Sequence, residues 1–292
     1  MFESRIYQEG ELDILHVSSP ACQASFSLQG GQLLSYEQTG QPSILWHNNE
    51  AIYRNGLPVR QGIPICWPWF GDLARNPEPV KMQFKEVDHP PAHGWVRQQP
   101  WQLMESQLDS ARALIIFSVD CPNLPLQTIA RYEIAAEYVS LTLTTKNIGN
   151  DVLHFSFALH TYFAVGNISH VSLMGLDGKL YIETLDNWQE KKQQGSLSFN
   201  GETDRIYLNA PDTLILRDDS LKRDIMINAR NSRSVVVWNP WIDKAARMSQ
   251  FPDQDYTRML CVETARIWEK DFVTLEPGQQ QTTELRLSQK SS

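Results

Sequence analysis

The sequence has few cysteines, no long apolar run and no excess of positive charge, and each shortage closes off a class of function. Its four cysteines, Cys22, Cys66, Cys121 and Cys261, lie far apart and never in a CxxC spacing. That suits reduced thiols in a cytosolic protein and argues against a disulfide framework or a thiolate zinc site. Nowhere does the chain approach the roughly 18 uncharged apolar residues of a membrane-spanning helix. The start, Met1 to Gly10, carries Glu3 and Glu9 where an export signal carries basic and then apolar residues. A cytoplasmic protein with no membrane partner is expected. Acidic residues outnumber basic ones, 34 to 26, for a net charge of −8. Nucleic acid and anionic membranes are therefore poor partners, because such binding rests on a basic surface. An anionic small ligand would require a local basic pocket.

Helical periodicity is also scarce, and no repeat of roughly 20 to 50 residues, low-complexity tract or Gly/Ser linker divides the chain. What remains is core material: 41% hydrophobic residues, with nine Trp, nine Tyr and eleven Phe in 292 residues. Short strand-like runs fall at 63–67, 113–119, 128–134, 139–145, 213–216, 224–228, 234–238 and 282–287. In 140–144 the leucines fall on one face and the hydroxylated residues on the other, as a half-buried strand requires. The segment 214–227 reads as a hairpin whose polar turn begins at Asp218-Asp219. Ala245, Ala246 and Met248 favour a short helix over 242–250, which Pro252 would stop. One large antiparallel all-β domain spanning 1–292 accounts for the pattern.

Two constellations carry polar chemistry beside rigid turns. The run 58–71 is rich in Pro and Gly and holds Arg60, Trp67, Trp69 and Phe70. Its aromatics read either as an apolar wall of the kind sugar faces stack on or as a buried cluster with Arg60 solvated. In 91–97, Gly94 permits close backbone approach, and His93 and Arg97 offer donors to an oxygen-rich ligand. By residue type alone they read more readily as a structural histidine and a surface charge. His160 lies in an apolar run, 155–163, and Glu263 in 261–265; if the fold brings them together they make an acid–base pair. Taken singly, the same residues read as a core histidine and a structural ion-pair partner.

In order along the chain, 60–71, His93-Gly94, 159–163, 203–207 and 261–264 resemble D-hexose-6-phosphate mutarotases, also called glucose-6-phosphate 1-epimerases. The likeness is to the bacterial YeaD-type branch of the aldose 1-epimerase superfamily and extends from about residue 15 to about residue 288. It implies a galactose-mutarotase-like β-supersandwich of antiparallel sheets with few short helices. By the resemblance, His160 is the general acid and Glu263 the general base of a cofactor-independent interconversion of α and β anomers. Arg60 and Arg97 match phosphate ligands, Asp204 matches a residue that contacts sugar hydroxyls, and His93 lines the sugar site. A carboxylate near the imidazole is further expected to keep it protonated.

The resemblance implies a monomer acting on a small hexose 6-phosphate, with no cofactor and no metal. A site built from His93, His160 and Glu263 lacks the HxH spacing of clustered metal ligands. Rival readings are a sugar-phosphate-binding protein that does not turn over and a mutarotase for neutral aldoses. The chain departs from relatives at Ala92, where some carry Gln, and at 72–90, an insertion-like loop. That loop is either solvated or shapes substrate entry through Arg75, Lys81 or Lys85.

Overall fold

The computed structural model describes residues 1–269 and 271–291. Two large antiparallel sheets dominate it, one of nine strands and one of eight, joined by a four-stranded N-terminal sheet and a two-stranded ribbon. All the strand-like runs read from the sequence lie on strands, with 63–67 reduced to Ile65–Cys66. The 214–227 hairpin forms with Thr213–Asp218 paired to Arg223–Arg230.

The nine-stranded sheet shows the simple alternation of a sheet with one wet face. In Tyr138–Asn147, Leu141 and Leu143 are buried and the hydroxylated residues between them are half-buried. Those leucines meet Phe117, Tyr132, Leu285 and Leu287 in the main core, against the inner face of the eight-stranded sheet. Each such large apolar side chain contributes about 1.5–3 kcal/mol by leaving water.

The eight-stranded sheet is covered on both faces, which its sequence shows as an unbroken apolar run. Ser234–Asn239 is buried at every position. Val235 and Val237 enter the main core, while Val236 and Trp238 join a second cluster on the opposite face with Ile182, Ile206, Cys261 and Tyr162. This second face carries the polar cluster described below.

Two local expectations are corrected. The helix expected over 242–250 is only Trp241–Ala245. It ends long before Pro252, with Ala246 capping it and turns following. The 72–90 segment is not a bare loop: it holds a 3-10 turn at Leu73–Arg75 and the helix Glu78–Gln83. Val80 and Phe84 anchor it in the main core.

Candidate active site

The strand Met259–Arg266 positions the centre of the site. It pairs with two short strands, Phe157–Leu159 and Tyr162–Ala164, in one continuous register: Leu159 lies opposite Thr264, and Tyr162 opposite Cys261. The two residues between, His160 and Thr161, therefore stand opposite Glu263 and Val262. The chain makes a tight turn there, with the Thr161 N–H donating to the Leu159 carbonyl at 2.8 Å and the His160 N–H to that of Pro64 at 2.9 Å. Directly opposed residues on antiparallel strands share a face. His160 Nε2 accordingly lies 3.3 Å from Glu263 Oε1, with Glu263 only 1% exposed. The same cross-strand row continues through Val236 to Ile206. A second row on that face runs from Asp204 through Trp238 and Cys261 to Tyr162.

The first row, with Asp204 and Trp238 of the second, floors a cavity of about 590 Å³. Of the residues singled out from sequence, Arg60, His93, His160, Asp204 and Glu263 line it together. Arg97 does not: its guanidinium donates to the Ala92 carbonyl at 2.7 Å. Its charge still reaches the dyad, as the ionisation of His160 and Glu263 shows.

Burial governs that ionisation. Desolvation, with repulsion from Arg97 and Arg60, pushes His160 down to about 3 from its ordinary 6.5. Desolvation and the nearby Asp204 carboxylate push Glu263 well above its ordinary 4.5. The 3.3 Å contact then joins an uncharged pair, in which Glu263 holds a proton and His160 does not. The expectation that the carboxylate keeps His160 protonated fails for the protein by itself, because taking two charges out of water outweighs their mutual attraction here.

His93 is also held neutral, by burial and then by Arg97, His160 and Arg60. Its Nδ1 accepts from the Gly71 N–H at 3.3 Å. The proton of a neutral ring must therefore sit on Nε2, which makes this residue a donor. Residue 93 adopts the left-handed conformation at φ 66°, and Gly94 follows at φ 70°. A Cβ on Gly94 would lie 2.1 Å from the Trp67 carbonyl oxygen, so only glycine lets this turn close against the 58–71 segment.

Of the aromatics in that segment, only Phe70 reaches the cavity. Trp67 and Trp69 are fully buried in the main core. The rest of the aromatic wall comes from Trp188 and Trp238, which sequence reasoning missed. Trp238 had a detectable signal, the unalternating Val-Val-Val-Trp run of a sheet covered on both faces; Trp188, in a polar turn, had none. Lys244 was missed as well. Its ammonium lies 3.1 Å from Glu202, 3.9 Å from Asp204 and 5.7 Å from the centre of the Trp238 ring. Burial raises the Asp204 carboxyl, and Lys244 opposes that shift. From the 72–90 segment only Arg75 meets this wall, its guanidinium 5.2 Å from the centre of the Trp188 ring. Lys81 pairs instead with Glu78, and Lys85 with Glu86.

Comparison with known proteins bears on the family and the fold. Residues 13–288 match the aldose 1-epimerase family. The chain is 33% identical to an Escherichia coli (strain K12) protein named "Putative glucose-6-phosphate 1-epimerase", over 91% of this chain and 87% of that one. A protein of the same name from Cenchrus ciliaris is 32% identical over 91% of this chain and 81% of its own length. Among solved structures, one titled as a putative mutarotase (YeaD) from Salmonella typhimurium superposes with a TM-score of 0.88 at 27% identity. It covers 99% of this chain and 94% of its own.

Proposed function

Because the chain belongs to the aldose 1-epimerase family, we propose that it interconverts the α and β anomers of D-hexose 6-phosphates, glucose 6-phosphate foremost. The observation that carries this reading is the direct opposition of His160 and Glu263, 3.3 Å apart, on the floor of a cavity walled by aromatic rings and cations.

Anomer exchange requires a proton to leave the C1 hydroxyl and another to reach the ring oxygen as the C1–O5 bond breaks. Rotation about C1–C2 presents the other face of the aldehyde, and reclosure reverses both transfers. Glu263 takes the hydroxyl proton and His160 protonates the ring oxygen; one proton is given and one received, so the pair ends as it began. Electrons balance within the sugar, and the reaction asks for no redox partner. Each positioned acid or base contributes about 10²- to 10⁴-fold.

For His160 to act as the acid, the proton must move to it from Glu263. A dianionic phosphate held at Arg60 offsets the cationic repulsion that adds to burial in keeping His160 neutral, so substrate binding favours that move. Guanidinium groups suit a phosphate through paired, charge-assisted hydrogen bonds. Arg97 lies outside the cavity lining with one guanidinium nitrogen on the Ala92 carbonyl, whereas Lys244 already lines the cavity. Asp204 accepts from sugar hydroxyls, and the Nε2–H of His93 donates to a hydroxyl or to the C1 oxygen. These groups lie between residues 60 and 263, and residues 1–292 are taken as one domain acting as a monomer.

The test is magnetisation-exchange NMR between the two anomeric protons of glucose 6-phosphate, with wild-type protein, Glu263→Gln and a protein-free control. Acceleration by the wild type alone supports the reading. Exchange at the control rate, with the phosphosugar still bound, replaces it with a binding protein on the same fold. Equal acceleration of glucose and glucose 6-phosphate makes the enzyme a mutarotase for neutral aldoses.

A further inference from the structure

The sequence lacks the HxH spacing of a clustered metal site, but the sheet supplies an equivalent arrangement. Cys261 and Glu263 are two residues apart on one strand, so they project from the same face. His160 stands across from Glu263 on the neighbouring segment. A Cys-x-Glu pair on one strand and a histidine on the next thus converge, with one donor atom from each residue inside a 4.8 Å cluster. It is the only such His/Cys/Asp/Glu grouping among the described residues.

We propose that His160, Cys261 and Glu263 form a site for a borderline-to-soft divalent ion such as Zn²⁺, Co²⁺ or Cd²⁺, and that its occupancy shuts the catalytic pair off.

The donor set fits that class of ion, since imidazole and thiolate favour zinc-like metals over calcium or magnesium. Zinc bonds of about 2.0–2.3 Å in a tetrahedron hold neighbouring donors roughly 3.3–3.7 Å apart. The His160–Glu263 contact already spans 3.3 Å. The longer separations must close by about 1 Å, which rotation of the Cys261 or Glu263 side chain supplies.

A second observation points the same way. Glu263 Oε2 is buried with no protein partner, so the carboxyl has unused coordinating capacity. His160 and Glu263 line the cavity and Cys261 does not. An ion arriving from the cavity therefore meets the pair first and the thiol completes the set. On binding, the thiol proton and the Glu263 proton are released to water, and a fourth position stays open to the cavity.

Such an ion is inhibitory because it occupies the same lone pairs that carry protons to and from the sugar. A resident structural ion would be expected to have its histidine oriented by a hydrogen bond from the other ring nitrogen. His160 has no such bond, which fits reversible occupancy.

The experiment titrates the metal-free protein with Co²⁺ and follows the near-ultraviolet thiolate-to-metal charge-transfer band. The expected result is a saturable band of one ion per chain. It should be lost in Cys261→Ala, although Cys22, Cys66 and Cys121 remain, and lost again in Glu263→Gln, which leaves every thiol in place. Absence of the band, or its survival in either variant, overturns the proposal. In parallel, Zn²⁺ should slow anomer exchange by the wild type, and a chelator should restore it. Cys261→Ala should need at least about tenfold more Zn²⁺ for the same inhibition, and equal sensitivity of the two proteins also overturns the proposal. The absorption band reads the site independently of any mutarotase activity, so failure of the site and failure of the proposed function are separable.

Discussion

Glu263 faces His160 across the sheet and has Asp204 as the nearest charge that disfavours its ionisation. Its carboxyl, held well above the ordinary 4.5, keeps a proton that the unfolded chain gives up. Stability is therefore lost as pH rises from 4.5 toward the raised value.

Glu263→Gln removes that linkage while preserving the shape of the side chain. The variant should match the wild type in thermal stability near about pH 4 and exceed it at neutral pH. Each unit of the shift is worth about 1.4 kcal/mol, and each kcal/mol about 2 °C in a chain of this size. Thermal unfolding at the two pH values checks this; an equal margin at both would show that the carboxyl is not raised.

His160 should stay neutral throughout the range in which an ordinary imidazole, with its 6.5, takes up a proton. Because unfolding frees it to protonate, it contributes stability above 6.5 that is lost as pH falls toward its depressed value. The NMR signal of its ring, identified by its loss in His160→Gln, should not move between about pH 5 and pH 8 without substrate. Inorganic phosphate should bring a titration into view by offsetting the field of Arg60. A midpoint near 6.5 in the protein alone would contradict the burial argument.

Arg60 supplies a cation to the cavity, and the phosphate is the one group that distinguishes glucose 6-phosphate from glucose. Arg60→Ala should raise KM for the phosphosugar by roughly 10- to 150-fold, the worth of a charge-assisted hydrogen bond. Its KM for glucose should change by less than about twofold, since no contact to that sugar is lost. Steady-state kinetics on both sugars decide it, and an equal penalty on each would move the phosphate elsewhere. Lys244→Ala, run beside it, reports whether the second lining cation shares the load.

Gly94 carries a backbone requirement and a packing requirement together. At φ 70° with the Trp67 carbonyl 2.1 Å from a new Cβ, Gly94→Ala has no room to relax. Gly56, at φ 76° with nothing within 4 Å, has only the backbone requirement. Gly56→Ala should cost about 1–2 kcal/mol. Gly94→Ala should cost more and should also slow exchange, because it displaces the adjacent His93. Chemical denaturation compares the two, and equal losses would show that the close approach to Trp67 is not a constraint.

The strand content was legible because its signal is local. Period-two alternation in 138–147 reports one wet face and one buried face, and it needs no knowledge of the partner strands. The ordered motifs likewise pointed to His160 and Glu263 before any geometry was known. Other features carried no such signal. Trp67 and Trp69 look the same in sequence whether they wall a cavity or fill a core, and the fold put both in the core. Arg97 is the same residue type as Arg60, yet it turns to a carbonyl five residues back.

What the sequence by itself determined was the class of fold, the excess of acidic over basic residues and the residue types available for acid–base work. Composition and short-range periodicity carry those properties. The tertiary structure alone decided that one register sets Glu263 against His160, and that Cys261, Lys244, Trp188 and Trp238 join them on the same face. It also decided that the pair is uncharged. Register and burial arise from contacts between residues about a hundred positions apart, and the cost of dehydrating a charge depends on how completely those contacts exclude water.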